Sequence, residues 1–264
     1  DQLNAYWAGP LMWRPDAPQK QEDFVDEALA WKRPGREPKR GRRVTLELPP
    51  YEQGSGKTLA ELAALPPSRR PKPRTFVRLS YTLEEGWDSV LVESVYENPT
   101  DEAVELALTT VLRVDGAWET GIDFDGRLFH AYNKWWGQAY GVLAEDHRIV
   151  RGAGGRQQVL GWSRDGAAKV TLKPGGTFRM RRRLMPGADL FQVKAVAADL
   201  LNMPLADLRV DVTDPDGPVP HADVFAWVGG KLYAAGRTDG EGRLSARVPK
   251  GRCELRVEAL GRPP

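Results

Sequence analysis

Hydrophobic and polar residues alternate along much of the chain. Val77, Leu79, Tyr81 and Leu83 alternate with Arg78, Ser80 and Thr82, the pattern of a strand with one face buried. Ser89 to Tyr96 reads as the first strand of a hairpin. Glu97-Asn98-Pro99-Thr100-Asp101 would turn it into a second strand, in which Val104, Leu106, Leu108, Thr110 and Leu112 share a face. Further strands are expected at Gln157–Leu160 and Lys169–Leu172, joined around Arg164-Asp165-Gly166, and at Thr177–Met185. Two segments change to helical spacing. Leu59, Leu62 and Leu65 follow a Thr58–Glu61 capping box and stop at Pro66-Pro67; Leu190, Val193, Ala197 and Leu200 follow Asp189 and Gln192. The pattern predicts an all-β chain, a large antiparallel β-sandwich with short helices.

After Met203-Pro204 the strands shorten and the turns become frequent. Leu208, Val210 and Val212 alternate inward, and Asp214 to Pro220 turns into a strand at Ala222–Trp227. Gly229-Gly230 makes the next hairpin, Thr238 to Arg243 the next turn, and Pro249-Lys250-Gly251 leads into Cys253–Ala259. Two domains are therefore expected: residues 1–203, beginning with an irregular arm to about residue 75, and a small β-sandwich over 204–264.

Composition narrows the class. The 264 residues carry 38 Lys+Arg against 36 Asp+Glu, a net charge of +2, and are 41% hydrophobic. Such a balance excludes a wholly disordered chain and argues against a dedicated nucleic-acid binder. No apolar run approaches the roughly 20 residues of a membrane helix, so no transmembrane segment is expected. The N-terminal DQLNAYWAGP has no basic segment followed by an apolar one, so it does not read as a signal peptide. With Cys253 the single cysteine, neither an intrachain disulfide nor a Cys-based zinc site is expected. His130, His147 and His221 are scattered, which argues against a His-rich metal site. No cofactor and no metal are expected.

The order DPDGPVPHADV followed by GRTDGEGRLSARVPKGRCELRVEALGR resembles the carboxypeptidase regulatory-like domain, a small transthyretin- or immunoglobulin-like sandwich. In that family these turns and strands are scaffold features, and Cys253 stands where an aromatic residue is usual. The resemblance implies an accessory module of a secreted or periplasmic multidomain protein. The preceding residues, with the closing strand VTLKPGGTFRMRRRL, resemble the galactose-mutarotase-like supersandwich of carbohydrate-acting enzymes and modules. A large sandwich followed by such a module is also similar to the region before the PHP-type metal-dependent hydrolase domain of some exported proteins. Their His-x-His core is absent here, so that catalytic domain would lie beyond Pro264.

Several segments invite chemical readings. The basic run Lys32–Arg43 reads as a solvated loop or an anion contact. Gly54-Ser55-Gly56-Lys57-Thr58 lacks the first glycine of a phosphate loop, Tyr51 standing there, so a helix cap at Thr58 is the better reading. Asp123-Phe124-Asp125-Gly126 and Asp214-Pro215-Asp216-Gly217 read as hairpin turns rather than calcium loops, because Gly121 and Val212 occupy the first ligand positions. The ligand-binding candidates are Asp123, Asp125, His130, Tyr132, Trp135, Trp136 and Tyr140, in a segment expected to be largely irregular. Aromatic faces beside hydrogen-bonding groups suit a sugar ring, and core packing of the tryptophans is the alternative. His130 with Asp123 or Asp125 could form an acid–base pair, but no catalytic role follows. Trp7 and Trp13 would join that surface or anchor the arm. Arg179, Arg181 and Arg183 share a strand face that could line an anion-binding groove or simply face solvent. The function expected is a non-catalytic carbohydrate- or partner-binding accessory region of an exported multidomain protein. The alternatives are a mutarotase- or lyase-like enzyme, the N-terminal part of a metal-dependent hydrolase, and a structural spacer.

Overall fold

The computed structural model describes residues 6–8, 43–47, 51–52, 59–66, 75–84, 86–113, 118–134, 137–151 and 157–260. The chain runs through β1 (Tyr6–Ala8), β2 (Arg43–Glu47), β3 (Tyr51–Glu52), α1 (Leu59–Ala64), β4 (Phe76–Glu84) and β5 (Val90–Glu97). Next come β6 (Val104–Ala107), β7 (Thr109–Arg113), β8 (Glu119–Asp123), β9 (Leu128–Asn133) and β10 (Gln138–Ala144). They are followed by β11 (Arg148–Arg151), β12 (Gln157–Ser163), β13 (Lys169–Leu172), β14 (Thr177–Gly187) and α2 (Leu190–Leu200). The short strands close the chain: β15 (Leu205–Asp211), β16 (Thr213–Asp214), β17 (Gly217–Pro218), β18 (Asp223–Val228), β19 (Lys231–Arg237), β20 (Arg243–Pro249) and β21 (Glu254–Glu258). Strands pair antiparallel, giving the expected all-β sandwich class.

Packing forms two compact units: residues 1–114 with 150–181, and residues 115–149 with 182–264. This grouping differs from a division at Met203, because β8–β10 and α2 share one core with the strands that follow.

In the first unit, β2, β4 and β5 lie side by side, with β3 also on β4. Val77 and Leu79 are buried as the alternation requires, but the pattern then shifts, burying Thr82 and leaving Leu83 exposed. The expected hairpin between Ser89–Tyr96 and the following strand does not form. The cause is Asn98, whose Nδ2 donates to the carbonyls of Leu172 at 3.0 Å and Lys173 at 3.1 Å. This ties the turn to the end of β13, so β6 pairs with β13 instead of β5. The expected strand over 104–112 also divides, at buried Leu108, whose N–H donates to Ala168 and whose carbonyl accepts from Trp162. Beyond that break β7 joins β12, so β12 and β13 belong to different sheets rather than to one hairpin.

In the second unit, β8, β9, β10 and the end of β14 form a continuous antiparallel sheet. The turn from β8 to β9 has Phe124, Asp125 and Gly126 all at positive φ, near +51, +57 and +79°, which accords with the Asp-Gly turn reading. Helix α2 begins as expected: Asp189 Oδ1 accepts from the Gln192 N–H at 2.8 Å, and Gln192 Oε1 accepts from the Ala188 N–H at 2.9 Å. The helix packs against β9 and β10, and also against β19 and β20. Leu128, Tyr132, Met185, Leu190, Val193 and Ala197 join Val224, Ala226, Ala234, Leu244 and Val248 in one core.

The helix approaches the sheet closely because position 141 has no side chain. A Cβ there would lie 2.6 Å from Val193 Cγ1 and 3.0 Å from both Leu128 Cδ1 and Met185 Cε. Gly141→Ala should therefore lower stability by roughly 1–3 kcal/mol through overpacking. In the same urea titration Gly240→Ala, which meets nothing within 4 Å, should change stability by less than about 0.5 kcal/mol.

Candidate functional site

The candidate segment is regular, not irregular: it comprises β8, β9 and β10, so alternate residues face opposite sides of one sheet. Leu128, His130 and Tyr132 share the side covered by α2, together with Gly121 and Asp123 opposite them on β8. Phe129, Ala131 and Tyr140 are on the other side. Period-two geometry thus separates Tyr140 from Asp123, His130 and Tyr132.

On the helix side lies a cluster of ionisable groups. Asp123 Oδ2 is 2.8 Å from His130 Nε2 and 2.7 Å from Lys194 Nζ. Lys194 also donates to the Tyr233 carbonyl, and its ammonium lies 4.8 Å from the centre of the Tyr233 ring. Gly121 makes room for the imidazole, since a Cβ there would come within 2.4 Å of His130 Nε2. Lys194 is 1% exposed. Burial lowers its pKa more than the nearby Asp123 raises it. Burial also pushes Asp123 upward, but the His130 and Lys194 contacts outweigh it and hold the carboxyl at about 2. Lys194 escaped the sequence reading. Its signal was a lysine on the stripe Leu190, Ala197, Ala198 and Leu201, where α2 is otherwise apolar.

The other candidates have separate surroundings. Asp125 is exposed and pairs with Arg148 at 2.5 Å. Tyr132 is buried in the core, which, with the Asp223 charge nearby, pushes its phenol up to about 12. Tyr140 is half-buried, with its ring 5.5 Å from that of Trp118 and 6.4 Å from that of Phe129. Arg179 and Arg181 each lie 3.8 Å from Glu93, and Arg183 lies 2.7 Å from Glu145, so each arginine has a carboxylate beside it. Asp214 Oδ1 accepts from the Asp216 N–H at 2.9 Å, closing a local turn. Trp13, Trp135, Trp136, the Gly54–Thr58 loop, the side chain of Trp7 and residues 32–42 of the basic run lie outside the described residues. Among the described residues, no group of three or more His, Cys, Asp or Glu side chains could hold a metal ion, and no helix is long and apolar enough to cross a membrane.

No protein-family model matches the chain, and no curated protein matches it. Among solved structures it is similar to a polysaccharide lyase, at 11% identity and a TM-score of 0.37, over 72% of this chain and 33% of that one. It is also similar to an aldose 1-epimerase-like protein from Klebsiella pneumoniae, at 11% identity and a TM-score of 0.31, over 48% of this chain and 50% of that one. An alpha-galactosidase from Lactobacillus brevis matches at 13% identity and a TM-score of 0.32, over 48% of this chain and 23% of that one. The chain thus spans half or less of each of these proteins, and likenesses at this level assign it neither an activity nor a ligand.

The ion cluster makes two measurable predictions. Lys194→Met leaves Asp123 without its ammonium and should cost roughly 3 kcal/mol in urea unfolding, with part of the loss recovered by adding Asp123→Asn. Because the folded-state pKa of Asp123 is depressed, its contribution is present above the ordinary carboxylate value of 3.8 and disappears as pH falls towards about 2. Wild type should accordingly lose melting temperature over that window, and Asp123→Asn should lose less.

Proposed function

We propose that the chain is a non-catalytic accessory region of an exported multidomain protein, binding carbohydrate or a partner. The observation carrying this reading is the burial of the imidazoles best placed for acid–base work. The His130 side chain is 12% exposed and shares Asp123 with Lys194; the His147 side chain is 0% exposed, with Nδ1 2.6 Å from Asp146 Oδ1. A general acid or base must come within hydrogen-bond reach of a substrate atom, and neither ring offers that approach. The third histidine, His221, sits in a turn at positive φ. The closing run of short strands, β15 to β21, supports an accessory sandwich of the carboxypeptidase regulatory-like kind, which motivates export and further domains in the full protein. Trp135 and Trp136 remain the proposed aromatic contacts for a sugar ring, with Tyr140 beside them in sequence.

A glycan array, followed by titration of the hits using tryptophan fluorescence, tests the reading on the whole chain. Saturable binding without turnover of the bound glycan is expected, weakened at least tenfold in a folded Trp136→Ala variant. Turnover of a glycan by the purified chain would overturn the non-catalytic reading. Absence of binding to every glycan would remove the carbohydrate branch and leave the partner branch.

A further inference from the structure

The second unit contains a cleft of about 540 Å³ lined by residues outside the segment discussed above. Its volume falls within the roughly 300–1,000 Å³ typical of small-molecule sites. One wall is the start of α2, with Phe191, Gln192 and Ala195; the other is the β15–β20 pair. Cross-strand register sets Asp207 opposite Arg247 and Arg209 opposite Ser245, so four polar side chains share one face of this two-stranded sheet.

These groups differ in how far the fold has already engaged them. Arg247 is fixed by a bidentate pair with Asp199, at 2.6 and 2.8 Å. Asp189 is engaged in capping α2, and burial raises its pKa. The carbonyl oxygen of Gln192 is held by the Ala188 N–H, which orients the side-chain amide while leaving its NH2 as a donor. Asp207 stands across the strand pair from Arg247, whose charge it helps to stabilise, and Arg209 stands across from Ser245. The cleft therefore offers a carboxylate acceptor, a guanidinium fork, an amide donor and the Ser245 hydroxyl, beside apolar surface from Phe191 and Ala195 on α2.

Its charge identifies the ligand class. Arg247 is already neutralised by Asp199, so no net positive charge is left to draw a phosphate or a uronate, while Arg209 stands against an ammonium group. Alternating donors and acceptors beside apolar carbon suit vicinal hydroxyls and the C–H surface of a sugar ring. We infer that this cleft is a binding site for a neutral sugar unit, with Asp207 and Arg209 bonding its hydroxyls and Gln192 and Ser245 completing the set. This rests on the carbohydrate branch of the proposed function and adds sugar contacts other than Trp135 and Trp136.

The test is calorimetric titration of the full chain with the best neutral oligosaccharide from the array and with a uronate-containing counterpart. Wild type, Asp207→Asn and Arg209→Gln are compared, each checked by thermal melting. The expected result is a tenfold or greater loss of neutral-glycan affinity in both cleft variants at unchanged melting temperature, with the uronate bound more weakly by wild type. Wild-type binding that survives both cleft substitutions would overturn the cleft site while leaving the carbohydrate reading intact. Preference for the uronate would overturn the neutral-sugar assignment. Failure of wild type to bind any glycan would overturn both the inference and the carbohydrate branch.

Discussion

An ammonium group taken out of water must be met by a carboxylate, and that requirement organises the second unit. Lys194 lies on the apolar stripe of α2, and Asp123 reaches it from the end of β8. Satisfying that pair fixes the rotation of the helix about its axis and its position along the sheet. Leu190, Val193 and Ala197 then face the core, and Val193 settles over Gly141. The same side of the helix meets β19, where Lys194 reaches the Tyr233 carbonyl, and the helix also contacts β20. Burial lowers the Lys194 pKa while the same contact holds Asp123 ionised, so removing either partner leaves the other charge unmet within the fold.

The same cluster bears on function. A histidine and an aspartate close in sequence suggest proton transfer, but the third member changes their role. With Lys194 on the same carboxylate oxygen, Asp123 remains ionised far below neutral pH. It is therefore a poor proton acceptor, and His130 is left to fill the space over Gly121. The cluster thereby ties three elements together, since Asp123 on β8 meets both His130 on β9 and Lys194 on α2.

How much was legible in the sequence follows from the range of the interactions involved. Helix α2 and the strands from β15 onwards were readable almost residue by residue. Their caps and turns, such as Asp189–Gln192 and Gly229-Gly230, act within a few positions and leave local signatures. The hairpin expected after Tyr96 was not readable in the same way. A tight turn and a crossover to another sheet use the same Asn-Pro signal, and the choice depended on the Asn98 bonds to carbonyls more than seventy residues away. The candidate site suffered the opposite error. Residues 128–144 contain the alternation of a strand pair, but their polar and aromatic richness masked it, so groups on opposite faces were read as one surface. Lys194 was missed because a lysine on a helix is ordinarily solvated, and only its place within the apolar stripe marks it out.

This distinction also explains where a binding surface can develop on such a scaffold. Side chains facing α2 are committed to the core, and changing one disturbs the helix and both sets of strands that it touches. The outward positions of β15 and β20 carry no such burden: Asp207, Arg209 and Ser245 alternate with the inward Leu208, Val210 and Leu244. Arg247 is the exception, because its pair with Asp199 anchors the outer strand face to the end of α2. One wall of the cleft is thus locked to the helix while the polar groups beside it remain open to exchange. Within this unit, recognition is better supported by those outward positions than by the buried ion cluster, because substitutions there can alter ligand preference without undoing the packing beneath.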